Sequence, residues 1–108
     1  MKGSPRSGMD LVTRFAFERL LDVARSDTSQ ARKAADFILA WWNQASLGRF
    51  DITDLFAVDQ ETATAMVTVF SWFAQQRGVV YPNEYRAEIE AIIREWRPDV
   101  WAKSMQSA

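Results

Sequence analysis

Asp51 and Asp54 stand three residues apart in Phe50-Asp-Ile-Thr-Asp-Leu55. That spacing brings two carboxylates to one helix edge, where they could hold a hard cation or act as an acid and base pair. A second carboxylate row, Glu84, Glu88 and Glu95, recurs at i, i+4 and i+11. Nothing else in the chain offers comparable chemistry. No histidine and no cysteine occurs among the 108 residues, which removes the commonest general base, the preferred transition-metal ligands and the thiol nucleophile. The four glycines are spread between the N-terminal tail and helix ends, so no phosphate-cradling loop forms. A simpler role fits each acid. Asp51 is placed to cap a short helix and Asp54 to sit in its first turn, favoured by the helix dipole. The glutamate row is read as the water-facing side of its helix. The expectation is therefore no catalytic residue, no cofactor and no metal site.

Five tryptophans and seven phenylalanines, with 48% hydrophobic and 25% charged residues, give the composition of one ordinary globular domain. A chain of this size buries a core without disulfides or metal. The longest apolar run, Phe37 to Trp42, is far shorter than the roughly 18 to 20 residues of a membrane span. No signal or transit segment is visible, so the expected setting is the cytoplasm. Residues 1–8 carry Gly, Ser and Pro without apolar periodicity and read as a flexible tail, with the domain beginning at Met9. Charge is uneven although the net is −1. Residues 1–49 hold eight basic and five acidic groups, residues 50–78 only Arg77 against four acids, and residues 79–108 four basic and five acidic. The middle of the chain is locally acidic.

Helical periodicity dominates, and no alternating strand pattern appears. The spacing predicts a first helix over Met9–Arg25, with Ala16, Phe17, Leu20, Leu21, Val23 and Ala24 in one arc and Arg14, Glu18, Asp22 and Arg25 opposite. Asp27 with Gln30 resembles a reciprocal capping pair opening a second helix, which stops at Gly48. That helix is apolar around half its girth, with Trp41 and Ile38 expected in the core and Arg32, Lys33, Asp36, Asn43 and Gln44 as its polar stripe. Asp59 caps a third helix, Gln60 to Arg77, whose expected buried face holds Ala63, Met66, Val67, Val69, Phe70, Phe73 and Ala74. Val79 to Pro82 is extended, because a residue before proline avoids helix. A fourth helix over Asn83–Arg97 buries Tyr85, Ile89, Ile92, Ile93 and Trp96, and Pro98 opens a short terminal turn. The fold class is all-α: a single-domain bundle of four main helices plus one or two short ones.

The short helix after Asp51, the turn at Val58-Asp59 and the third helix have the lengths of a helix-turn-helix. The would-be reading helix carries no cation before Arg77 and begins with Asp59 and Glu61, which argues against phosphate contact and nucleic-acid binding. Trp41-Trp42 reads as core. Trp72 falls outside the third helix's apolar arc, beside Thr64, Thr68, Ser71 and Gln75. Either the terminal segment covers it with Val100 and Trp101, or it is an exposed anchor for a partner. Leu11 and Phe15 likewise lie off the first helix's arc. Trp72, Thr68, Phe15 and Leu11 are thus the candidate partner-binding residues, for another protein or for a second copy of the chain.

The stretch from Gln30 to Asn43 with its Ala40-Trp-Trp-Asn43, then Phe50-Asp-Ile-Thr-Asp-Leu55, Val58-Asp59 and Trp96-Arg-Pro98, resembles a family of short proteins of unknown function. Those proteins are encoded on integrative conjugative elements and plasmids of proteobacteria. The resemblance implies a bacterial, cytosolic, mobile-element setting and transfers no functional residue. The resulting expectation is a non-enzymatic protein-binding module of a mobile element. The alternative is an inhibitor or accessory factor that occludes a host nucleoprotein complex through the acidic middle segment.

Overall fold

The computed structural model of the chain describes residues 7–107. Among them lie five α-helices, two short 3-10 turns and no strand, in the order α1 (Leu11–Ala24), α2 (Ala31–Leu47), a 3-10 turn (Ile52–Phe56), α3 (Gln60–Ala74), a 3-10 turn (Asn83–Tyr85), α4 (Arg86–Trp96) and α5 (Pro98–Ser107). The all-α expectation holds. No described helix is long and apolar enough to cross a membrane.

Asp10 opens α1, its side chain accepting from the Thr13 amide at 2.8 Å, and this contact holds the Asp10 carboxyl below its usual pKa. The helix then buries Phe17, Leu20, Leu21 and Ala24, as its periodicity predicts. α1 packs most extensively on α3 and next on α2, and α4 lies against α2. Phe17, Leu20, Ile38, Leu39, Met66, Ile89 and Ile92 are fully enclosed where these four helices meet. An aromatic cluster extends the core. Trp41 packs edge-on against Phe17 at 5.6 Å and obliquely on Phe73 at 5.0 Å, with ring spacings typical of favourable aromatic pairs. Ile38 is core as expected, whereas Trp41 keeps part of its surface in water.

Several local expectations are corrected. Asp27 does not cap α2; Gln30 takes the cap position without a side-chain bond. Its amide instead exchanges two 2.9 Å hydrogen bonds with Asp59, donating to the carboxylate and accepting from the backbone N–H. Tertiary pairing thus outbids the local box. Gly48 does end α2, but in an extended rather than left-handed conformation (φ −71°, ψ 126°). Within α2 the backbone of Asn43 leaves the helical region (φ −163°, ψ 87°), and its side chain accepts from the Ser46 amide at 3.2 Å, recapping the last turn. The expected terminal turn is a ten-residue helix, α5. Ser7 and Gly8, assigned above to a flexible tail, are tied down: Ser7 is buried and donates from its amide and hydroxyl to Glu84 at 3.0 and 2.8 Å. Gly8 follows at φ +83°, a backbone angle that favours glycine. The rest of the expected tail, residues 1–6, lies outside the described residues. Glu84 is accordingly not part of a solvated glutamate row.

Tyr85 links α4 to α1, its hydroxyl donating to Glu18 at 2.5 Å. Burial first, and the Glu18 carboxylate second, push its pKa up to about 12. An unfolded tyrosine ionises near 10, so the folded state binds this proton more tightly. The contact stabilises the fold fully below about pH 10 and its contribution is lost as pH rises toward about 12. Thermal melts should therefore show Tyr85→Phe losing less stability than the wild type over that alkaline window. Parallel decline of the two proteins would show that Tyr85 is not the group responsible.

Candidate interaction face

From Thr62 to Gln76 no residue carries a charge, and all of α3 after Glu61 lies in that stretch. Such a helix has no charged stripe to declare which side meets water. The structure turns Thr62, Ala65, Met66, Val69 and Trp72 inward. Val67 and Phe70, expected inside, stand 53% and 59% exposed, and Ala74 is exposed as well. The helix is rotated from its expected face because α1 and α2 seat the Ala65, Val69 and Trp72 side. Trp72 meets Trp41 with ring centroids 6.2 Å apart.

That rotation corrects the reading of Trp72. At 8% exposure it is part of the core, so it cannot serve as an exposed anchor. Nor does Trp101 cover it: the Arg94 guanidinium lies over the Trp101 ring at 5.1 Å, on the α4–α5 side. The other three candidates are at the surface in different degrees. Leu11 and Phe15 are 64% and 62% exposed. Thr68 is half-buried, its hydroxyl donating to the Thr64 carbonyl at 2.8 Å. Phe15 and Thr68 do come together, lining with Val12, Ala16, Thr64 and Ala65 an open groove of about 460 Å³ between α1 and α3. Leu11 is not among its lining residues. The groove's far end is spanned by an exposed Arg19–Glu61 ion pair, which contributes little by itself.

On the opposite flank of α3 lies a smaller hollow of about 90 Å³ with no polar lining. Val67 and Phe70 of α3 form one wall, Ile52 and Leu55 of the 3-10 turn another, and Phe37 and Phe50 the floor. Phe37 and Phe50 meet edge to face at 5.2 Å. Ile52 is 73% exposed, and Phe56 on the same turn 91%. Sequence reasoning missed Ile52, Phe56, Val67 and Phe70 as surface residues, although the uncharged run through α3 was there to be read.

The acidic residues that border this face are occupied. Asp51 accepts from the Thr53 hydroxyl and amide at 2.7 and 2.9 Å, and Asp54 accepts from the Asp51 amide, closing a capping box. The Thr53 contacts hold Asp51 below the usual carboxylate range. Asp59 caps α3 through the Thr62 amide at 2.8 Å. The Gln30 side chain, followed by Thr62, lowers its pKa to about 2. Each acid has a local structural role, as the capping reading expected. Among the described residues no three His, Cys, Asp or Glu side chains come together in a group that could hold a metal ion. The 3-10 turn and α3 keep the length of a helix-turn-helix, but the first element is not an α-helix and α3's exposed face has no cation.

The remaining polar cluster is internal. Arg97, between α4 and α5, donates from Nη2 to Asp36 at 2.7 Å and to the Leu47 carbonyl at 3.0 Å. Its Nε also reaches Leu47, at 3.1 Å, and Nη1 reaches the Trp96 carbonyl at 3.0 Å. Both partners of the ion pair are almost enclosed, with 5% and 11% of their side chains exposed. Asp36, assigned above to a polar stripe, is thus buried. Arg97 supplies donors to the last carbonyl of α2, where a cation also suits the helix dipole.

The family of unknown function DUF7673 matches residues 14–97. The chain belongs to this family. The matched span runs from within α1 to the buried Arg97 and so includes the Asp36–Arg97 pair, all of α3 and the apolar hollow; α5 lies wholly beyond it. No curated protein and no solved structure matches the chain. Within the matched residues α3 presents an uncharged face, flanked by the α1–α3 groove and by an apolar hollow.

Proposed function

We propose that this chain is a protein-binding module without catalytic activity of its own, and that it engages its partner through the α3 face. The observation that carries the reading is the uncharged run from Thr62 to Gln76 on a helix that keeps Val67 and Phe70 in water. Soluble domains seldom leave contiguous apolar surface exposed without a use, and depletion of charge is the compositional mark of an interface core. Phe15 and Thr68 border the same face through the α1–α3 groove, and Leu11 extends it along α1. Trp72 contributes from beneath, by fixing the rotation of α3. The bacterial, cytoplasmic and mobile-element setting is proposed on the resemblance alone. Occlusion of a nucleoprotein complex by the acidic segment has less support, because Asp51, Asp54 and Asp59 are engaged in caps and Glu61 pairs with Arg19.

A photo-crosslinking residue placed at Val67 should give covalent adducts in the cells that encode the protein. The same residue at Glu95, exposed on α4, should give none. Phe70→Asp should reduce the Val67 adduct about tenfold or more, the loss expected of a central apolar contact. Equal labelling at Val67 and Glu95 would overturn the reading.

A further inference from the structure

We infer that the occupant of the α3 face is a second copy of this chain, in a two-fold dimer whose α3 helices cross antiparallel with the axis passing beside Val67. The inference rests on the α3 face being an interaction surface, and goes further in naming what covers it.

Three observations point to self-association. The first is area. Val12, Phe15, Ile52, Phe56, Val67 and Phe70 are each more than half exposed, on α1, the 3-10 turn and α3. At about 150–250 Å² for an aromatic side chain and somewhat less for an aliphatic one, they present on the order of 700 Å², close to the ~800 Å² each partner contributes to a standard interface. The second is charge. At the N-terminal end of α3, Asp51, Asp54, Asp59 and Glu61 outweigh Arg19 of the neighbouring α1 and Arg49 before the 3-10 turn; the middle of the helix is neutral, and Arg77 stands just past its C-terminal end. A surface that is negative, neutral and positive in order complements its own reversal, and antiparallel dipoles add to the preference. The third is position. Val67 is the central residue of Gln60–Ala74 and is exposed, so a two-fold axis there buries the neutral middle of both helices and sets each acidic end near the other copy's Arg77. One self-complementary patch on each copy is what a closed two-fold contact requires.

The absence of cysteine from the whole sequence makes the geometry directly testable. In Val67→Cys the two thiols face each other across the axis, and mild oxidation should convert most of the full-length chain to a disulfide-linked dimer. Glu88→Cys, on α4, should form no disulfide-linked dimer under the same treatment. Without oxidation, the unmodified chain at about 100 µM should sediment at twice its 12.4 kDa mass, since standard-size interfaces bind at micromolar affinity or tighter. Phe70→Asp should return it to the monomer with its helical circular dichroism intact. A monomer at that concentration overturns the inference. So does a dimer in which Val67→Cys fails to cross-link or Phe70→Asp has no effect. If the chain is monomeric while Val67 still cross-links a different protein in cells, the second copy is excluded and the broader protein-binding reading survives; loss of both leaves neither.

Discussion

Arg97→Ala should lower the free energy of unfolding by about 3–5 kcal/mol, the range for removing one partner of a buried ion pair. The cost comes less from lost attraction than from what remains. Asp36 would be left in a nearly enclosed site without its guanidinium partner, and the Leu47 carbonyl at the end of α2 would lose both Arg97 donors. Against a total stability of about 5–15 kcal/mol for a domain, such a loss threatens the fold. Arg97→Lys should recover only part of it, because one ammonium cannot reproduce a fork that bonds Asp36, Leu47 and Trp96 together. A double variant, Asp36→Leu with Arg97→Met, removes both charges at once. It should be far less damaged than Arg97→Ala, since an apolar pair can replace a buried ion pair at little cost. Urea melts of the three variants and the wild type measure this directly. A cost below about 1 kcal/mol for Arg97→Ala would mean that water reaches the pair in solution and that it is not a structural centre.

That pair shows why periodicity reads one part of this molecule well and another poorly. The inward residues of α1 and α4 were legible because each helix has a charged side opposite its apolar one: Phe17 and Leu20 against Asp22 and Arg25, Ile89 and Ile92 against Arg94 and Glu95. Two caps were legible too, since Asp51 and Asp59 perform locally what their positions announce, whereas the cap expected of Asp27 gave way to the pairing of Gln30 with Asp59. Asp36 was not, because a wheel assigns any carboxylate to the wet side and knows nothing of an arginine 61 residues away. One signal was available: Asp36 is the lone charge between Ala34 and Trp42.

α3 failed for the complementary reason. With no charge from Thr62 to Gln76, several rotations bury similar amounts of apolar surface, and the choice falls to the shape of α1 and α2. Trp72 fills the place beside Trp41, which leaves Phe70 outside. The exposed face of α3 was therefore hidden by the same uncharged composition on which the proposed binding role rests. The exposure of Phe15 was legible because α1's own pattern left it over. Val67 and Phe70 were lost because an apolar residue on an apolar helix is assigned inward by default.

Trp41→Ala should cost about 3–5 kcal/mol, the usual range for truncating a large packed aromatic, even though Trp41 retains some exposure. Its ring is the point where three elements meet: Phe17 of α1 at 5.6 Å, Trp72 at 6.2 Å and Phe73 at 5.0 Å, both of the latter from α3. Its indole N–H also donates to the Val80 carbonyl at 2.7 Å, tying the segment between α3 and α4 to α2. Trp41→Phe separates the two roles. It keeps much of the ring packing and loses the donor, so it should cost about 1–2 kcal/mol, the scale of one hydrogen bond with some lost area. Backbone amides near Val80 should then exchange with solvent faster than in the wild type, while those of α1 remain protected. If Trp41→Ala costs less than about 1 kcal/mol, the aromatic cluster does not hold α3 in its observed rotation. Trp72 would then be free to turn outward, and the assignment of Val67 and Phe70 to the surface would fall with it.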